Sequence, residues 1–496
     1  MKQKEQRPPM YFSTLEVENV KSFEKKQILD LKNNDGSISM WTLILGDNGV
    51  GKTTLLHCLA WMIPVGDNKK TDELRDEDEE DYKDKNKIAI KSYMDELDES
   101  NFENLIRIGD NVKTIITSTL THGILKNDLQ PDNVIVSMQF EKKNGKLMEI
   151  TPTYHVGSVN SFDKMEFERK KVNGIVPKFG EFNSFNSPKI FAYSADRRLG
   201  YKNIDKPELK DPIYNLISQD GELYDAEQLL SWLKTGSIMQ NGKGKATDLL
   251  KKIKEILVDL LPDIKTPESI IINSPINDDG SINENIVEIQ TEDGKVKLFN
   301  LSLGYVTMLT WIVDLAIHML WSFPESEKPL NEPAIVLVDE IDLHLHPAWQ
   351  REIMQKLTHH FSATQFICTA HSPIMAQASE QQNLAVVKRI EEKDVIIAND
   401  PHIVVGWRIG QLLTSELFDF DSERGPEVDR LVEERRKLLR KETLDSEEQA
   451  QLDNLNLKID QIPIGDTPEE DNAAKILKDF SKKLSALKAQ SDDKNK

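Results

Sequence analysis

The feature that most constrains the fold of this chain is a glycine-rich segment near the N-terminus. The segment consists of Gly46, Asp47, Asn48, Gly49, Val50, Gly51, Lys52, Thr53 and Thr54, and it fits the pattern G-x-x-x-x-G-K-[ST]. The apolar run Trp41–Leu45 predicts a strand before it, and apolar residues at helical spacing predict a helix after it. In a strand, loop and helix of this kind, backbone N–H groups surround a β-phosphate. We expect Lys52 to reach the β- and γ-phosphate oxygens and the Thr53 hydroxyl to bind magnesium.

A second segment with phosphate chemistry lies near residue 340. Ile335–Val338 is uniformly apolar, as in a strand that is buried on both faces, and Asp339 and Glu340 follow at its carboxyl end. Ligands of α/β sheets bind at that end of the strands. We therefore expect Asp339 to hold magnesium, directly or through water, and Glu340 to polarise an attacking water. An Asp-Glu pair alone is more typical of a turn, but its pairing with the phosphate-binding loop favours these roles.

Two further segments carry groups that can contact an anion. Ser302 and Gly304 precede a long apolar helix predicted at Tyr305–Trp321, so a hydroxyl, backbone N–H groups and the helix dipole would point at one spot. A serine N-cap is the simpler interpretation of Ser302 alone, but its position 37 residues before Asp339 favours the anion site. His371 follows the apolar strand predicted at Gln365–Thr369 and can hydrogen-bond a γ-phosphate or the attacking water.

These four segments, in this order, resemble the Walker A, signature, Walker B and switch-histidine motifs of ABC-type ATPase heads of the SMC, RecF and OLD-like families. The resemblance covers roughly residues 11–60 and 295–380. It implies ATP and magnesium as cofactors, with Glu340 and His371 as catalytic residues. It also implies that two heads enclose two nucleotides, so that Ser302 and Gly304 of one subunit face the phosphate-binding loop of the other. The sequence has Ser-Leu-Gly-Tyr where transporters have Ser-Gly-Gly-Gln, a departure that is usual in the non-transporter branch.

Shorter segments extend this resemblance. Asn19–Phe23 matches the Asn-Phe-[Lys/Arg]-Ser-Phe start of SMC and RecF heads, with Val in place of the first Phe, which brings Lys21 towards phosphate. Tyr193–Arg197 resembles a Tyr-Gly-x-x-Arg segment of this branch, with Ser in place of Gly, and together with Gln139 it is a candidate for the glutamine-loop position. Asp342–Pro347 resembles the D-loop region. Its two histidines have no third ligand at metal-binding spacing, so we predict a helix start there rather than a metal site.

The predicted fold class is α/β: an ABC-type P-loop ATPase head split by a mainly helical insertion, with a helical C-terminal extension. The predicted boundaries are 1–65 for the first part of the head, 66–295 for the insertion, 296–400 for the second part of the head, and 401–496 for the tail. A strand at Asn133–Phe140 with a hairpin partner at Lys146–Thr153 is expected inside the insertion. In the tail we predict inward-facing leucines at Leu431, Leu438, Leu439, Leu452, Leu455 and Leu457.

Composition excludes several classes of protein. The 496 residues include 63 Lys and Arg against 84 Asp and Glu, a formal net charge of −21, which argues against coating nucleic acid by bulk charge. Cys58 and Cys368 are too few for a disulfide scaffold or a four-cysteine zinc site, and we expect a reduced, cytoplasmic setting. The most apolar stretch, Met308–Trp321, contains Asp314 and His318 and is shorter than the roughly 20 residues that span a bilayer, so we expect no membrane segment.

Charge is unevenly distributed along the chain. Asp72–Asp84 holds nine acidic residues in thirteen and is predicted to be a solvated loop. Local basic clusters remain, and they consist of Arg169, Lys170, Lys171, Lys243, Lys245, Lys251, Lys252 and Lys254. Such clusters usually mark a solvated face, and the second interpretation is a contact with DNA.

The C-terminal region carries a further resemblance. Gly406–Leu413, then Glu423–Val428 and a charged helical hairpin, resemble the tail of PtuA-type ATPases of Septu anti-phage systems and related retron-linked modules. Those ATPases work beside a separate HNH nuclease. The alternative is a helical cap that packs on the head. A nuclease site around Asp419-Phe420-Asp421 is disfavoured, because no clean strand precedes it and no upstream glutamate stands out as its metal partner.

These features predict an ATPase that forms a homodimer or higher homo-oligomer around ATP and controls a separate nuclease subunit in anti-phage defence. Two alternatives stay open. One is a RecF-like DNA repair ATPase that binds DNA directly, and the other is a nucleotide-gated scaffold with little turnover. A transporter subunit is disfavoured by the large insertion and by the missing Ser-Gly-Gly-Gln sequence.

Overall fold

The computed structural model describes the greater part of the chain. The described residues are 9–62, 112–122, 133–143, 146–157, 189–197, 213–218, 221–261, 264–274, 279–281, 283, 286–292, 294–379, 382–390, 394–399, 406–415, 417–418, 420–441, 443–462, 476–477 and 480. The predicted acidic loop at Asp72–Asp84, the basic cluster at Arg169–Lys171 and Asp419 of the Asp-x-Asp segment lie outside these ranges.

The described part of the chain contains both strands and α-helices. The strands are β1 (Met10–Glu18), β2 (Gln27–Asp30), β3 (Trp41–Gly46), β4 (Val112–His122), β5 (Asn133–Lys143), β6 (Lys146–Gly157), β7 (Lys189–Tyr193), β8 (Ile270–Ile272), β9 (Val287–Thr291), β10 (Gly294–Lys297), β11 (Ala334–Val338), β12 (Thr364–Ala370), β13 (Asn383–Ile390) and β14 (Asp394–Ala398). The α-helices are α1 (Lys52–Trp61), α2 (Tyr214–Ile217), α3 (Ala226–Met239), α4 (Lys245–Leu260), α5 (Leu303–Ser322), α6 (Pro347–His360), α7 (Pro373–Ala378), α8 (Ile409–Leu413), α9 (Pro426–Leu439) and α10 (Ser446–Asp460).

A six-stranded sheet with the order β14-β13-β3-β12-β11-β7 carries the predicted phosphate segments. Its five strands from β13 to β7 are parallel, and β14 is antiparallel at one edge. Every residue of β11 and β12 is buried. β11 is apolar throughout, as is typical of a strand that is covered on both faces, whereas β12 also buries Thr364, Gln365 and Thr369. Because the strands are parallel, the segments that follow β3, β11 and β12 come together at one edge.

Alternate residues of the central strands pack into two different apolar clusters. Val336 and Val338 join a cluster that includes most of α5, whereas Ile335 and Leu337 join one that includes α1. The sheet is therefore covered on both faces, as expected for parallel strands in an α/β fold. Helix α5 is long and apolar enough to cross a membrane, but 83% of its most apolar window is buried inside the fold, and it is the central core helix of this face.

The predicted insertion holds strands as well as helices in its described part. Strands β4, β5 and β6 extend an antiparallel sheet with the order β2-β1-β4-β5-β6, so the insertion is mixed rather than mainly helical. The expected hairpin is present as β5 and β6. The physical reason is that β1 offers a second edge, which long alternating segments of the insertion pair with. A small sheet, β10-β9-β8, and the helices α3 and α4 complete the described part.

The chain divides into two compact units. The first comprises Met1–Leu412 with Glu416–Phe418, and the second comprises Leu413–Ser415 with Asp419–Lys496. Within the second unit, α9 and α10 form a helical hairpin around three buried leucines, Leu438, Leu452 and Leu455, with Leu431 partly buried. The expectation that Leu439 and Leu457 also face inwards is wrong, since they are 58% and 66% exposed; each lies one or two positions from a buried leucine, on a different side of its helix.

Candidate active site

The phosphate-binding loop links β3 to α1, and its glycines are required by space and backbone angle. Gly46 has a φ of 148°, and a Cβ there would lie 2.2 Å from the carbonyl oxygen of Val387 on β13. Gly51, which begins α1, has a φ of 109°, and a Cβ there would lie 2.8 Å from the ring of Phe23. Glycine tolerates both conditions because it has no side chain. The predicted Asn19–Phe23 segment therefore packs directly against the start of α1.

Lys52 is folded over the loop that precedes it. Its side chain is buried, and Nζ donates hydrogen bonds to the carbonyl oxygens of Gly46 at 2.7 Å and Asp47 at 2.8 Å. Burial lowers the pKa of the Lys52 ammonium, and the nearby carboxylates of Asp339 and Glu340 oppose that shift. An ammonium in this position can exchange its carbonyl partners for the oxygens of a phosphate.

The Thr53 hydroxyl and the Asp339 carboxylate meet directly. Thr53 Oγ1 donates to Asp339 Oδ2 at 2.8 Å, and the other carboxylate oxygen, Oδ1, accepts from Thr369 Oγ1 at 2.6 Å. Asp339 is 5% exposed, and it directly follows the last residue of β11. A hydroxyl and a carboxylate are the hard oxygen ligands that suit magnesium, and a protein usually leaves the remaining positions to phosphate and water.

Glu340 adopts a left-handed backbone conformation with a φ of 46°. This is uncommon for a residue other than glycine and costs on the order of 1–3 kcal/mol unless the surroundings impose it. The surrounding contacts do so. The Glu340 N–H donates to Thr369 Oγ1 at 2.7 Å, and the next N–H, of Ile341, donates to the carbonyl oxygen of Thr369 at 2.9 Å.

Arg197 holds the same peptide from the other side. Its Nη1 donates to the carbonyl oxygen of Asp339 and its Nη2 to that of Glu340, both at 3.0 Å. The residue is 6% exposed, and burial lowers the pKa of its guanidinium to about 10 while Asp339, Cys368 and other acidic groups oppose the shift. The Tyr193–Arg197 segment thus follows β7 and supports the backbone after β11, whereas the other glutamine-loop candidate, Gln139, lies in β5 between β4 and β6.

His371 lies next to Glu340 at the end of β12. His371 Nε2 is 3.9 Å from Glu340 Oε1, with the two side chains 32% and 33% exposed. The backbone N–H of His371 donates to Asp342 Oδ2 at 3.0 Å. Both side chains are therefore accessible from solvent, and both face the edge of the sheet where Lys52 and Thr53 lie.

The predicted signature residues lie at the start of α5. Ser302 is exposed at the start of α5, and its side chain caps no helical N–H. Gly304 is buried, and a Cβ there would lie 2.3 Å from the carbonyl oxygen of His344. Tyr305 packs edge-on against Trp349 with ring centroids 4.6 Å apart. Among the described residues, no hydrogen bond joins Ser302 to the phosphate-binding loop of the same chain.

The D-loop histidines have local roles. His344 has a φ of 64°, and its carbonyl lies against Gly304. His346 begins α6, where its Nδ1 accepts from the Ala348 N–H at 3.2 Å. Within the described ranges, no group of three or more His, Cys, Asp or Glu side chains could hold a metal ion by itself.

Sequence patterns alone did not single out two of the site's residues. Thr369 is the one hydroxyl-bearing residue in the second half of β12, two positions before His371. A polar residue in this apolar segment was the only sequence signal that its side chain has a specific role. Arg197 was noted within a segment, but the pattern does not say what its guanidinium contacts. In contrast, Lys52, Thr53, Asp339, Glu340 and His371 all lie at one edge of the sheet, as their positions after β3, β11 and β12 predict.

Comparison with known proteins places the chain in a family. A profile of the AAA ATPase domain matches residues 10–376, well over half of the chain. The retron Vc95 probable ATPase of Vibrio cholerae serotype O1 biovar El Tor is 24% identical over 403 residues, which cover 76% of this chain and 74% of that protein. The Septu protein PtuA of Bacillus mycoides strain KBAB4 is 29% identical over 195 residues, which cover 39% of this chain and 27% of that protein.

Among solved structures, the SMC head domain from Thermotoga maritima matches 78% of this chain and 98% of its own length, at 12% identity and a TM-score of 0.36. The fold itself is established by the parallel sheet, the phosphate-binding loop after β3 and the acidic pair after β11. The chain therefore belongs to the AAA ATPase domain family, has an α/β P-loop fold, and resembles the Septu protein PtuA.

Proposed function

We propose that the protein binds and hydrolyses ATP with magnesium, that two copies close around the nucleotide, and that this cycle controls an associated nuclease in anti-phage defence. The observation that carries the ATPase part is the contact between Thr53, in the first turn of the helix after the phosphate-binding loop, and Asp339, which precedes Glu340. It joins a phosphate-binding element to an acidic pair, which is the combination that phosphoryl transfer to water requires.

Each residue of the site has a chemical task in this proposal. The backbone N–H groups of Gly46–Thr54 and the Lys52 ammonium bind the phosphates. Thr53 and Asp339 hold magnesium, which when bound offsets negative charge on the β- and γ-phosphate oxygens. Glu340 accepts a proton from the attacking water, and His371 hydrogen-bonds the γ-phosphate or that water. The 3.9 Å between His371 Nε2 and Glu340 Oε1 leaves both groups directed at the same region.

The position of Ser302 supports closure by two copies. Its hydroxyl is exposed and caps no N–H of α5, although serine is among the best N-cap residues. Since no hydrogen bond of the described residues ties it to the phosphate-binding loop of its own chain, its partner in the proposal is the γ-phosphate held by a second copy. In that arrangement, each ATP contacts Lys52 and Glu340 of one subunit and Ser302 of the other.

The defence role rests on similarity to other proteins. A retron protein named as a probable ATPase aligns over three quarters of this chain, and a Septu protein aligns over a shorter part. In the proposal, a separate nuclease, of the HNH type expected for PtuA-like ATPases, associates with this chain.

Native mass measurement on material expressed from the native operon, with and without ATP, tests both halves of the proposal. The expected result is an ATP-dependent mass of at least two copies, together with a co-purifying nuclease subunit. A protein that stays monomeric with bound ATP would remove the closure proposal. The absence of any nuclease in the purified material would remove the main support for the defence role.

One observation favours direct DNA binding as a second function. Lys243 and Lys251 are exposed around the connection between α3 and α4, and so is Lys245, whose Nζ donates to the carbonyl oxygen of Pro324. Lys252 is less exposed and pairs with Glu255, and Lys254 donates to the carbonyl oxygen of Ile270 at 2.6 Å. Binding of duplex DNA that weakens steeply with salt, and that is lost in a variant with Lys243, Lys245 and Lys251 changed to Glu, would favour the RecF-like function over nuclease control.

A further inference from the structure

We propose that Thr369 and Arg197 are positioning residues for Glu340, which hold its backbone in the left-handed conformation and so fix its carboxylate beside His371. This inference rests on the proposed ATPase function, because it assigns Glu340 as the group that accepts the proton of the attacking water. Neither residue touches phosphate in the proposal. Arg197 acts through the main chain around Glu340, and Thr369 acts through that main chain and through the Asp339 carboxylate.

The hydrogen bonds of Thr369 allow only one arrangement of its hydroxyl. A hydroxyl has one proton to donate and can accept at its oxygen. Asp339 Oδ1, at 2.6 Å, can only accept when the carboxyl is ionised, so the proton of Thr369 points there. The oxygen of Thr369 then accepts the N–H of Glu340 at 2.7 Å. One side chain thereby couples the orientation of the predicted magnesium ligand to the backbone of the predicted base.

Arg197 also restrains the Glu340 backbone, because its guanidinium can donate two hydrogen bonds in parallel. Its planar fork donates to two successive carbonyl oxygens, those of Asp339 and Glu340, at 3.0 Å each. The guanidinium is buried, and its Nε has no hydrogen-bond partner among the described residues. Burying a cation against carbonyl groups, rather than in an ion pair, is costly. We infer that this cost is offset because Arg197 fixes the backbone of Glu340, the residue with a φ of 46°, by binding the carbonyl oxygens before and after its Cα.

Strand β12 itself supplies a control for the Thr369 hydroxyl. Thr364 lies on the same strand and is also buried, but its hydroxyl has no hydrogen-bond partner within the described part of the chain. The strand therefore does not need a threonine hydroxyl to form. Replacing threonine by valine keeps the branched shape and puts a methyl group in place of the hydroxyl, so the same substitution at positions 364 and 369 separates packing from positioning.

The experiment measures ATP hydrolysis at saturating magnesium and ATP, ATP affinity by equilibrium binding, and the melting temperature. We expect Thr369→Val to lower kcat by about tenfold or more, with ATP affinity within about threefold of the wild type, because misplacement of a catalytic group affects the chemical step more than ground-state binding. Thr369→Ser, which keeps the hydroxyl, should restore most of kcat. Thr364→Val should match the wild type in all three measurements.

Arg197→Lys provides an independent arm. A lysine keeps the charge but cannot donate in parallel to both carbonyl groups, so kcat should again fall by about tenfold or more with ATP affinity retained. If Thr369→Val misfolds, as a lowered melting temperature would reveal, the inference is tested by Thr369→Ser and Arg197→Lys. We expect kcat near the wild-type value for Thr369→Ser and a lowered kcat for Arg197→Lys.

Two outcomes would overturn the inference. One is a kcat for well-folded Thr369→Val and Arg197→Lys that equals the wild-type value. The other is a loss of ATP affinity as large as the loss of kcat, which would place the two residues in nucleotide binding. A wild-type protein that binds ATP without hydrolysing it would instead contradict the proposed function itself, so the two failures are distinguishable.

Discussion

The hydroxyl of Thr53 donates to Asp339 Oδ2 at 2.8 Å, across 286 positions of sequence. This contact brings the two parts of the head together at one pair of oxygen atoms. Thr53 is placed by the loop after β3, Asp339 by the end of β11, and β12 lies between those two strands. The site therefore forms only when these strands lie side by side in the sheet, because its residues come from segments that are distant in the sequence.

The first prediction concerns magnesium. Changing Asp339 to Asn removes a charged oxygen ligand, and we expect the magnesium dependence of ATP binding to weaken by about tenfold or more. Titrating ATP in the presence of magnesium and again with a chelator measures this effect. Thr53→Ser keeps the hydroxyl and is the matched control. An Asp339→Asn protein that binds ATP with unchanged magnesium dependence would show that Asp339 is not a metal ligand.

The second prediction separates the two signature residues. A Cβ at Gly304 would lie 2.3 Å from the backbone oxygen of His344, so Gly304→Ala should destabilise the fold by about 1–3 kcal/mol through forced displacement of that segment. Ser302 is exposed and caps no N–H, so Ser302→Ala should change stability by less than about 0.5 kcal/mol while lowering ATP turnover. Thermal unfolding and turnover of both variants check this contrast. Equal melting temperatures for the two variants would contradict the packing argument.

The third prediction concerns stability as a function of pH. Burial raises the pKa of Glu227, in the first turn of α3, to about 7, and the Asp225 carboxylate adds to the shift. Because the folded state holds this proton more tightly than the unfolded state, the contribution to stability is complete below pH 4.5 and is lost as the pH rises towards about 7. Glu227→Gln should therefore flatten the fall in melting temperature between about pH 5 and 7. Identical pH profiles for the variant and the wild type would argue against this shift.

The fourth prediction concerns the buried carboxyl group of Asp314 on α5. It accepts from the Tyr193 hydroxyl at 3.1 Å and from the Tyr224 N–H at 3.2 Å, and His318 Nδ1 lies 3.1 Å away. Tyr193→Phe removes a donor to this group and should cost about 1.5–3 kcal/mol. Tyr11→Phe, which removes a bond to a neutral carbonyl oxygen, should cost about 0.5–1.5 kcal/mol. Denaturant unfolding of both variants checks the order, and a larger loss for Tyr11→Phe would reverse it.

Much of the head could be predicted from the sequence because its core strands are fully buried. The run at β11 is apolar throughout, those at β3 and β12 are mainly apolar, and the long helix α5 lacks charged residues except Asp314, so the type and approximate limits of these elements follow from composition and length. The glycine-rich loop and the acidic pair each follow the carboxyl end of a strand, so in a parallel sheet both lie at the same edge.

The remaining features depend on contacts between distant segments. The left-handed backbone of Glu340 arises from Thr369 and Arg197, and nothing in the local sequence encodes it. Gly304 was expected to contact nucleotide, and its packing against His344 depends on how α5 meets the segment before α6. Likewise, the pairing of β4 with β1 is set by an available sheet edge, which hydrophobic periodicity does not reveal.

The most direct test of the account compares ATP turnover by the wild type and by Glu340→Gln under saturating magnesium and ATP. The account predicts that the variant binds ATP as tightly as the wild type but hydrolyses it at least about a hundredfold more slowly, since a general base contributes about 10²–10⁴-fold. It also predicts that the variant accumulates as an ATP-bound dimer. Equal hydrolysis rates for the two proteins, with ATP bound by both, would contradict the assignment of Glu340 and favour a nucleotide-gated scaffold.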